Sequence, residues 1–275
     1  MPASEMKLST TCWTMPACTL EECAAIAKAL GIPALDVGYF YASALDKQAI
    51  LADPLAEAEK AKSLGIAMPN LYHLFGETLD DRNLALAGTL DQNLKDLKQA
   101  LTFADAADIA TVFVLPGVIN PGQSRQSALE ASAQSLKEMK ALADDYTAQL
   151  CFEPHVHSFA EHPDIARRLA EMSGVGVCLD YAHFTCLGFT QDQIDPLAAH
   201  AVHVHLRQAV PGKLQEKFAH GTLNFPAMFA MLREAGYNGY VSIEPVHQDY
   251  MNTWFDDNLT EMVALRDCFN TWNGG

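Results

Sequence analysis

The sequence contains few basic residues, and this shortage excludes several classes of partner. Its 275 residues include 18 Lys and Arg against 34 Asp and Glu, which gives a formal net charge of -16. A protein that binds nucleic acid neutralises phosphates with clustered Lys and Arg, and an anionic membrane surface attracts basic segments. We therefore expect neither nucleic acid nor a membrane surface as a partner.

A cysteine framework and long apolar runs are also missing. The seven cysteines form no CxxC pair, and their odd number indicates free thiols in a reducing compartment. No window approaches the ~18 consecutive apolar residues of a membrane-spanning helix. The N-terminal segment MPASEMKLSTTCW lacks the apolar stretch of a signal peptide. Together these features predict a cytoplasmic protein.

Nucleotide and serine-hydrolase motifs are absent as well. Neither GxxxxGK[ST] nor GxGxxG occurs, so no phosphate-binding loop is predicted. No GxSxG turn for a nucleophilic serine is found. Hydrophobic residues make up 49% of the chain and charged residues 19%, a composition typical of a globular protein. Any chemistry must therefore come from scattered side chains that the fold brings together.

Short apolar or β-branched runs alternate with longer stretches of helical periodicity along the whole chain. The predicted strands are 7–12, 34–40, 66–74, 111–115, 148–153, 175–180, 201–205 and 240–244. The predicted helices are 20–30, 54–64, 90–107, 125–146, 163–172, 191–199, 226–235 and 257–272. Strict alternation indicates a parallel sheet with right-handed crossovers. Eight such pairs predict a single α/β domain over residues 1–275, a (β/α)8 TIM barrel, with an open doubly wound sheet as the alternative.

Chelating residues stand at the ends of the last four predicted strands. The fifth strand ends at Glu153, the sixth at Asp180, the seventh at His205 and the eighth at Glu244. Strand ends face one another around the mouth of a barrel, and a buried carboxylate must be paired or must bind a cation. These four residues therefore predict one divalent metal site. Three carboxylates and one imidazole favour manganese, with magnesium, cobalt and zinc as alternatives.

Each of these residues also has a structural explanation when it is taken singly. Glu153 or Glu244 alone could cap a nearby helix, and Asp180 could be the N-cap of the turn that follows it. His203 and His205 share one face of a strand, one layer apart. We expect the outer His205 to be the ligand and the deeper His203 to be a hydrogen-bonded core residue.

Several segments resemble the xylose-isomerase-like TIM barrels, which include sugar phosphate isomerases and ketose 3-epimerases and are distantly related to endonuclease IV. The segments are CFEPH, CLDYAHF, HVHLRQ and GTLNFPAMFAMLREAGYNGYVSIEP. GIPALDVG is similar to the second strand of the family, with Asp36 where a Glu is common. The resemblance spans most of the chain and is sharpest from Cys151 to Pro245.

The resemblance implies a function and a set of roles. Glu153, Asp180, His205 and Glu244 match the metal ligands of the family, and Glu153 and Glu244 match its acid/base pair. His183, from the Asp-x-x-His spacing, is implied to act beside the substrate. The implied enzyme is a divalent-metal-dependent sugar isomerase or epimerase, which transfers a proton alpha to a carbonyl through a metal-stabilised enediolate.

Two other functions remain open at this point. A dehydratase or lyase would use the same site for β-elimination on a keto-sugar or keto-glycoside, because that reaction also begins with loss of an α-proton. A non-catalytic sugar-binding barrel would need no acid/base pair. All three hypotheses have a small carbohydrate as the partner, and the family resemblance implies a possible homo-oligomer.

The candidates for substrate binding lie where the chain departs from the family. The epimerases place an Arg shortly before Val-Pro-Gly, whereas this chain reads QAVPGK and its nearest Arg is Arg207. Arg207 and Lys213 are candidates for binding substrate oxygens, with a solvated basic loop as the alternative. The remaining candidates are Trp13, His73, His155 and His157. Trp13 could equally be a core residue, and His73 could pack beneath the pocket.

A three-zinc nuclease site is excluded by specific residues. The His-Pro-Gly of endonuclease IV is replaced by Leu115-Pro116-Gly117, and its Asp-Arg-His segment has no counterpart between His205 and His220. The resemblance therefore predicts one metal ion and no role in DNA repair.

Overall fold

Strands and helices alternate in the computed structural model, which describes residues 6–247 and 257–274. The strands are β1 Lys7–Thr11, β2 Leu35–Asp36, β3 Asn70–Tyr72, β4 Thr111–Val114, β5 Gln149–Phe152, β6 Gly176–Asp180, β7 Ala201–Leu206 and β8 Tyr240–Ile243. The α-helices are α1 Leu20–Ala29, α2 Lys47–Ala52, α3 Pro54–Lys62, α4 Leu90–Ala106, α5 Arg125–Ala143, α6 Pro163–Ser173, α7 Tyr181–Thr185, α8 Gln191–Ile194, α9 Phe225–Glu234 and α10 Asn258–Asn273. Short 3-10 helices cover Cys12–Thr14, Ala87–Thr89, Asp195–His200 and Phe218–His220.

The eight strands form one parallel sheet in the order β2-β1-β8-β7-β6-β5-β4-β3. The two ends of this sheet meet, because isolated parallel bridges join Ala34 to Ala67 and Val37 to Leu71. Backbone hydrogen bonds from Val37 N–H to Asn70 O and from Tyr72 N–H to Val37 O support that closure. The prediction of a (β/α)8 TIM barrel is thereby confirmed, and the doubly wound alternative was wrong.

Helix ends follow the signals in the sequence. Thr19 and Glu22 form a reciprocal capping box at the start of α1, as their spacing predicts. Gly174 ends α6 in the left-handed region with φ +71°, where glycine has no steric penalty. Among the described residues, no helix combines the length and apolarity needed to cross a membrane.

Several predicted elements differ from those observed. The strands predicted at 34–40 and 66–74 contain only the short β2 and β3, and the chain beyond each turns into a loop. The helix predicted at 191–199 divides into α8 and a 3-10 helix, because Pro196 lacks an N–H and disfavours a continuous α-helix. α2 and α7 were not predicted. Each is short, and each begins at an aspartate cap, Asp46 for α2 and Asp180 for α7.

The core lies in the barrel and between the strands and the outer helices. On α4 the buried positions include Leu97, Ala100, Leu101 and Ala104, which recur at helical spacing and pack towards the sheet. The barrel itself contains several buried polar residues beside its apolar ones, including Asp36, His203 and His205. These polar groups lead to the carboxyl ends of the strands, where the candidate site lies.

Candidate active site

The backbone ladder of the sheet carries the four proposed ligands to one end of the barrel. Glu153 and Glu244 directly follow β5 and β8, and their N–H groups still donate to Val114 O at 3.0 Å and Leu206 O at 2.8 Å. Asp180 is the last residue of β6, and His205 lies near the end of β7. Strand pairing therefore positions all four side chains at the same level.

The four side chains converge. One oxygen from each of Glu153, Asp180 and Glu244 lies within 4.8 Å of the others. His205 Nδ1 lies 2.8 Å from Glu153 Oε1 and 3.3 Å from Glu244 Oε2. All four residues are buried. The structure thus groups three of the four proposed ligands and places the fourth, His205, against two of them.

The donor set fits one divalent cation. Three buried carboxylates around one imidazole concentrate negative charge where water is excluded, and such an arrangement calls for a compensating cation. Glu244 Oε2 accepts no hydrogen bond from the residues that the structure describes, so this buried oxygen is available to a further partner. Carboxylate oxygens with one imidazole suit manganese, magnesium, cobalt or zinc better than a soft ion.

Arg207 places a guanidinium charge beside this cluster. Its Nε and Nη2 donate to Asp180 Oδ2 at 2.8 and 2.6 Å, and Nη2 lies 3.5 Å from Glu244 Oε2. Nη2 also lies 2.9 Å from His183 Nε2. Asp180 Oδ1 accepts from Ala182 N–H at 2.7 Å and caps α7. The N-cap explanation of Asp180 is therefore also correct, and only its second oxygen faces the cluster.

The two glutamates differ in their electrostatic surroundings. Burial raises the pKa of Glu153 to about 7, although its hydrogen bond with His205 opposes the shift. Burial alone would raise the pKa of Glu244 too, but the charges of His205 and Arg207 and the indole of Trp13 hold it below its ordinary value. Opposite shifts of two neighbouring carboxyls are typical of acid/base pairs.

A cavity of about 330 Å³ opens onto the cluster. Its polar lining residues are Glu153, His155, His157, His183, Arg207 and Glu244. Its apolar or aromatic lining residues are Trp13, Phe40, Tyr41, Tyr72, Leu79 and Val246. The volume is at the lower end of the ~300–1,000 Å³ of small-molecule sites. The cavity therefore offers both hydrogen bonds and an apolar surface to a small ligand.

Trp13 lines the cavity as expected, but it has a second contact that the sequence did not predict. Its Nε1–H donates to Glu244 Oε1 at 2.7 Å. Its ring packs edge-on against Phe40, Tyr72 and His205, with centroid separations of 6.2, 6.0 and 6.1 Å. The indole therefore holds one oxygen of Glu244 and directs the other towards His205.

The other substrate-binding candidates divide into two groups. His155 and His157 line the cavity, and the ring of His155 lies 4.2 Å from that of His183. His73 is fully buried, with Nδ1 3.1 Å from the hydroxyl of Tyr39, and it is not among the described lining residues. Lys213 is exposed and pairs with Glu216 at 2.9 Å. The structure thus leaves His73 and Lys213 outside the cavity.

Sequence reasoning missed part of the site. Tyr41, Tyr72, Leu79 and Val246 line the cavity from strand ends or the loops beyond them, where no periodic signal marks them. His203 is a hydrogen-bonded core residue, as predicted, but its partner Asp36 was not recognised as part of the same cluster.

Comparison with known proteins places the fold in a family. The sequence matches the family model of the xylose isomerase-like TIM barrel over residues 24–267. The chain belongs to this family. A comparison with curated proteins finds no significant sequence match.

Solved structures of similar fold include sugar epimerases. A D-psicose 3-epimerase with D-tagatose from Clostridium cellulolyticum H10 aligns with a TM-score of 0.74 and 15% identity, covering 98% of this chain and 99% of that one. A 3-keto-D-glucoside 4-epimerase from E. coli aligns with a TM-score of 0.72 and 16% identity, covering 97% and 100%. The IolI protein with a bound zinc atom aligns with a TM-score of 0.75 and 16% identity, covering 97% and 99%. At these identities the similarity establishes the fold of this xylose isomerase-like barrel, and its chemistry must be argued from its own residues.

Proposed function

We propose that the protein is a divalent-metal-dependent sugar isomerase or epimerase that transfers a proton at a carbon alpha to a carbonyl. The observation that carries this proposal is the grouping of Glu153, Asp180 and Glu244 beside the cavity. His205 contacts both glutamates of that group. A protein that only binds a sugar would need no pair of buried glutamates to act as acid and base. The epimerases among the structural neighbours support a small carbohydrate as the substrate.

Glu153, Asp180, His205 and Glu244 would hold the ion. Manganese suits the donor set best in our proposal, with magnesium, cobalt and zinc as alternatives. When bound, the ion supplies a positive charge that polarises a substrate carbonyl and makes the neighbouring C–H more acidic.

Glu153 and Glu244 are the proposed proton carriers. They approach the same nitrogen of His205, Glu153 through Oε1 and Glu244 through Oε2. One carboxylate removes the α-proton, and the other delivers a proton to the opposite face of that carbon, which inverts its configuration. Return of the proton to the neighbouring carbon would instead interconvert an aldose and a ketose.

The remaining polar residues bind and orient the substrate in this proposal. His183 lies 3.8 Å from Glu153 Oε2 and lines the cavity, which would place its ring beside the reacting carbon. His155, His157 and Arg207 line the same cavity and would bind hydroxyl groups. Trp13 contributes apolar contact while it holds Glu244 in place.

The apolar lining favours a second candidate function, β-elimination from a keto-glycoside. Phe40, Tyr41, Tyr72 and Leu79 offer an apolar surface that a fully hydroxylated ketose uses poorly and an apolar leaving group would use well. Elimination needs the same first step, removal of the α-proton by a glutamate. The products distinguish the two reactions, because elimination releases water or an aglycone.

The proposal is tested by proton exchange and by two variants. The manganese-loaded protein should incorporate deuterium from D2O at the α-carbon of a ketose or 3-oxo-glycoside. Glu153→Gln and Glu244→Gln should each lower that exchange by about 10²–10⁴-fold, because each removes one proton carrier. NMR of the substrate measures both exchange and product.

Glu216→Gln is the matched control, since Glu216 is a carboxylate of the β7 loop outside the cavity. It should keep full exchange activity. Exchange that persists in Glu244→Gln, or a metal content that this change leaves intact, would contradict the role of Glu244. Absence of exchange with every ketose and 3-oxo-glycoside would contradict the proposed chemistry.

A further inference from the structure

A buried polar cluster lies one layer below the ligands in the barrel. Asp36 Oδ2 accepts from His203 Nε2 at 2.6 Å and from Asn70 Nδ2 at 3.3 Å. Asn70 Oδ1 in turn accepts from Thr111 Oγ1 at 2.7 Å. Barrel interiors are usually filled by branched apolar side chains. A carboxylate that is 0% exposed at this position therefore needs a reason beyond packing.

The cluster reaches the ligand imidazole. His205 Nδ1 faces Glu153 at 2.8 Å, whereas its Nε2 faces Asp36 Oδ2 at 3.7 Å. The thiol of Cys178 lies 3.8 Å from Nε2 and 3.7 Å from Nδ1, and a thiol is only a weak acceptor. The ring of His205 thus lies between the carboxylates of the site and a carboxylate behind it.

Asp36 has spare capacity to accept a hydrogen bond. Its Oδ1 is buried and has no partner among residues 6–247 and 257–274. An imidazole that gives the lone pair of one nitrogen to a metal carries its proton on the other nitrogen. If Nδ1, the nitrogen beside Glu153, held the ion, the proton of the His205 ring would reside on Nε2, the nitrogen that faces Asp36.

We propose that Asp36 is a positioning residue that acts through His205. Its carboxylate fixes the His205 ring with Nε2–H towards Asp36 and Nδ1 towards the ion, and so sets the affinity of the site for the metal. His203 and Asn70 hold the carboxylate in place from the other side. This inference rests on the proposed function only in requiring that the site binds a divalent ion.

The test compares metal affinity in folded proteins. Asp36→Asn keeps the shape of the side chain and removes its charge, so it should weaken Mn²⁺ or Zn²⁺ binding by about 10–100-fold, the usual effect of losing such a partner. Titration calorimetry against a competing chelator measures the affinity, and circular dichroism establishes folding. Ser9→Ala is the control because Ser9 is another fully buried polar residue without a described partner. It should leave metal affinity unchanged.

A purely structural role for Asp36 predicts a lower unfolding temperature with unchanged metal affinity, and that result would overturn the proposal. If Asp36→Asn does not fold, the ¹⁵N chemical shifts of His205 in the zinc-loaded wild type decide. A protonated Nε2 with a metal-bound Nδ1 is expected, and the reverse tautomer would overturn the inference. If Asp36→Asn keeps its metal affinity and Glu153→Gln is inactive, this inference fails and the proposed function stands. If the wild type binds no divalent ion, the proposed function fails as well.

Discussion

Each of the three carboxylates of the site contacts a different neighbouring side chain, and these neighbours influence its acidity. Glu153 contacts His205, Asp180 pairs with Arg207, and Glu244 accepts from Trp13. Because all three are buried, these contacts act with little screening by water. Three carboxylates of similar intrinsic acidity therefore become chemically distinct.

His73 shows the cost of burying an ionisable group outside the site. Its ring is fully buried, its Nε2 has no described hydrogen-bond partner, and burial lowers its pKa to about 3. The folded protein therefore keeps His73 neutral, whereas the unfolded chain protonates it near pH 6.5. Its contribution to stability is present above that pH and is lost as the pH falls towards 3.

We predict that His73→Asn weakens this pH dependence. Between pH 7 and pH 5, the wild type should lose about 2 kcal/mol of unfolding free energy more than the variant, given the difference between its folded and unfolded pKa. Urea denaturation at the two pH values measures the unfolding free energy of both proteins. His220→Asn is the control, because His220 is exposed in the folded protein. An equal loss in wild type and His73→Asn would show that His73 does not titrate on unfolding.

At the level of elements, close packing holds the loops that follow the strands, and no periodic pattern in the sequence predicts this packing. Gly117, in the loop after β4, has φ +103°. A Cβ there would lie 2.8 Å from Asn83 Oδ1 and 2.9 Å from Ala85 N. Asn83 Oδ1 accepts from Ala85 N–H, so Gly117 makes room for a contact that orders the loop carrying Leu79.

Gly117→Ala should destabilise the protein by about 1–3 kcal/mol, because it adds both backbone strain and a steric clash. Thermal or urea unfolding measures the loss. Gly88→Ala is the matched control, since a Cβ at Gly88 meets nothing within 4 Å and its φ is not positive. Equal stability of the two variants would contradict the close packing of the Gly117 loop.

At the scale of the whole molecule, one bound ion would link four of the eight strands of the barrel. Its four proposed ligands come from β5, β6, β7 and β8 or directly follow them, so binding is linked to the folded state of all four strands. The neighbouring carboxylates also repel one another in the absence of a cation. Both effects predict that the folded protein binds the ion and that the unfolded chain does not.

Divalent metal should therefore raise the unfolding temperature of the chelator-treated protein. At a free metal concentration of 100 times Kd, the free energy of unfolding should increase by about 2.7 kcal/mol. Differential scanning calorimetry with and without Mn²⁺ measures this increase. Glu244→Gln should show a much smaller gain, because it loses one ligand. A shift of equal size in both proteins would indicate binding elsewhere on this acidic chain.

The pattern of apolar and polar residues along the chain predicted the barrel architecture and the central residues of the candidate site. Alternating periods of two and 3.6 residues are local properties, so they identified eight strand–helix pairs. Glu153, Asp180 and Glu244 interrupt apolar strands at their ends, and this made them visible. The limits of β2 and β3 could not be predicted, because apolar residues continue into loops that pack over the barrel.

Local patterns were enough to predict the barrel, its family and the four candidate ligands, because these depend on spacing within segments and on the order of strands along the chain. The groups that surround the ligands depend instead on contacts between distant segments. Trp13 and Glu244 are 231 residues apart, and Asp36 and His203 are 167 apart. Such contacts exist because closure of the barrel places β1 beside β8 and directs β2 and β7 into one interior, and no local pattern encodes that geometry.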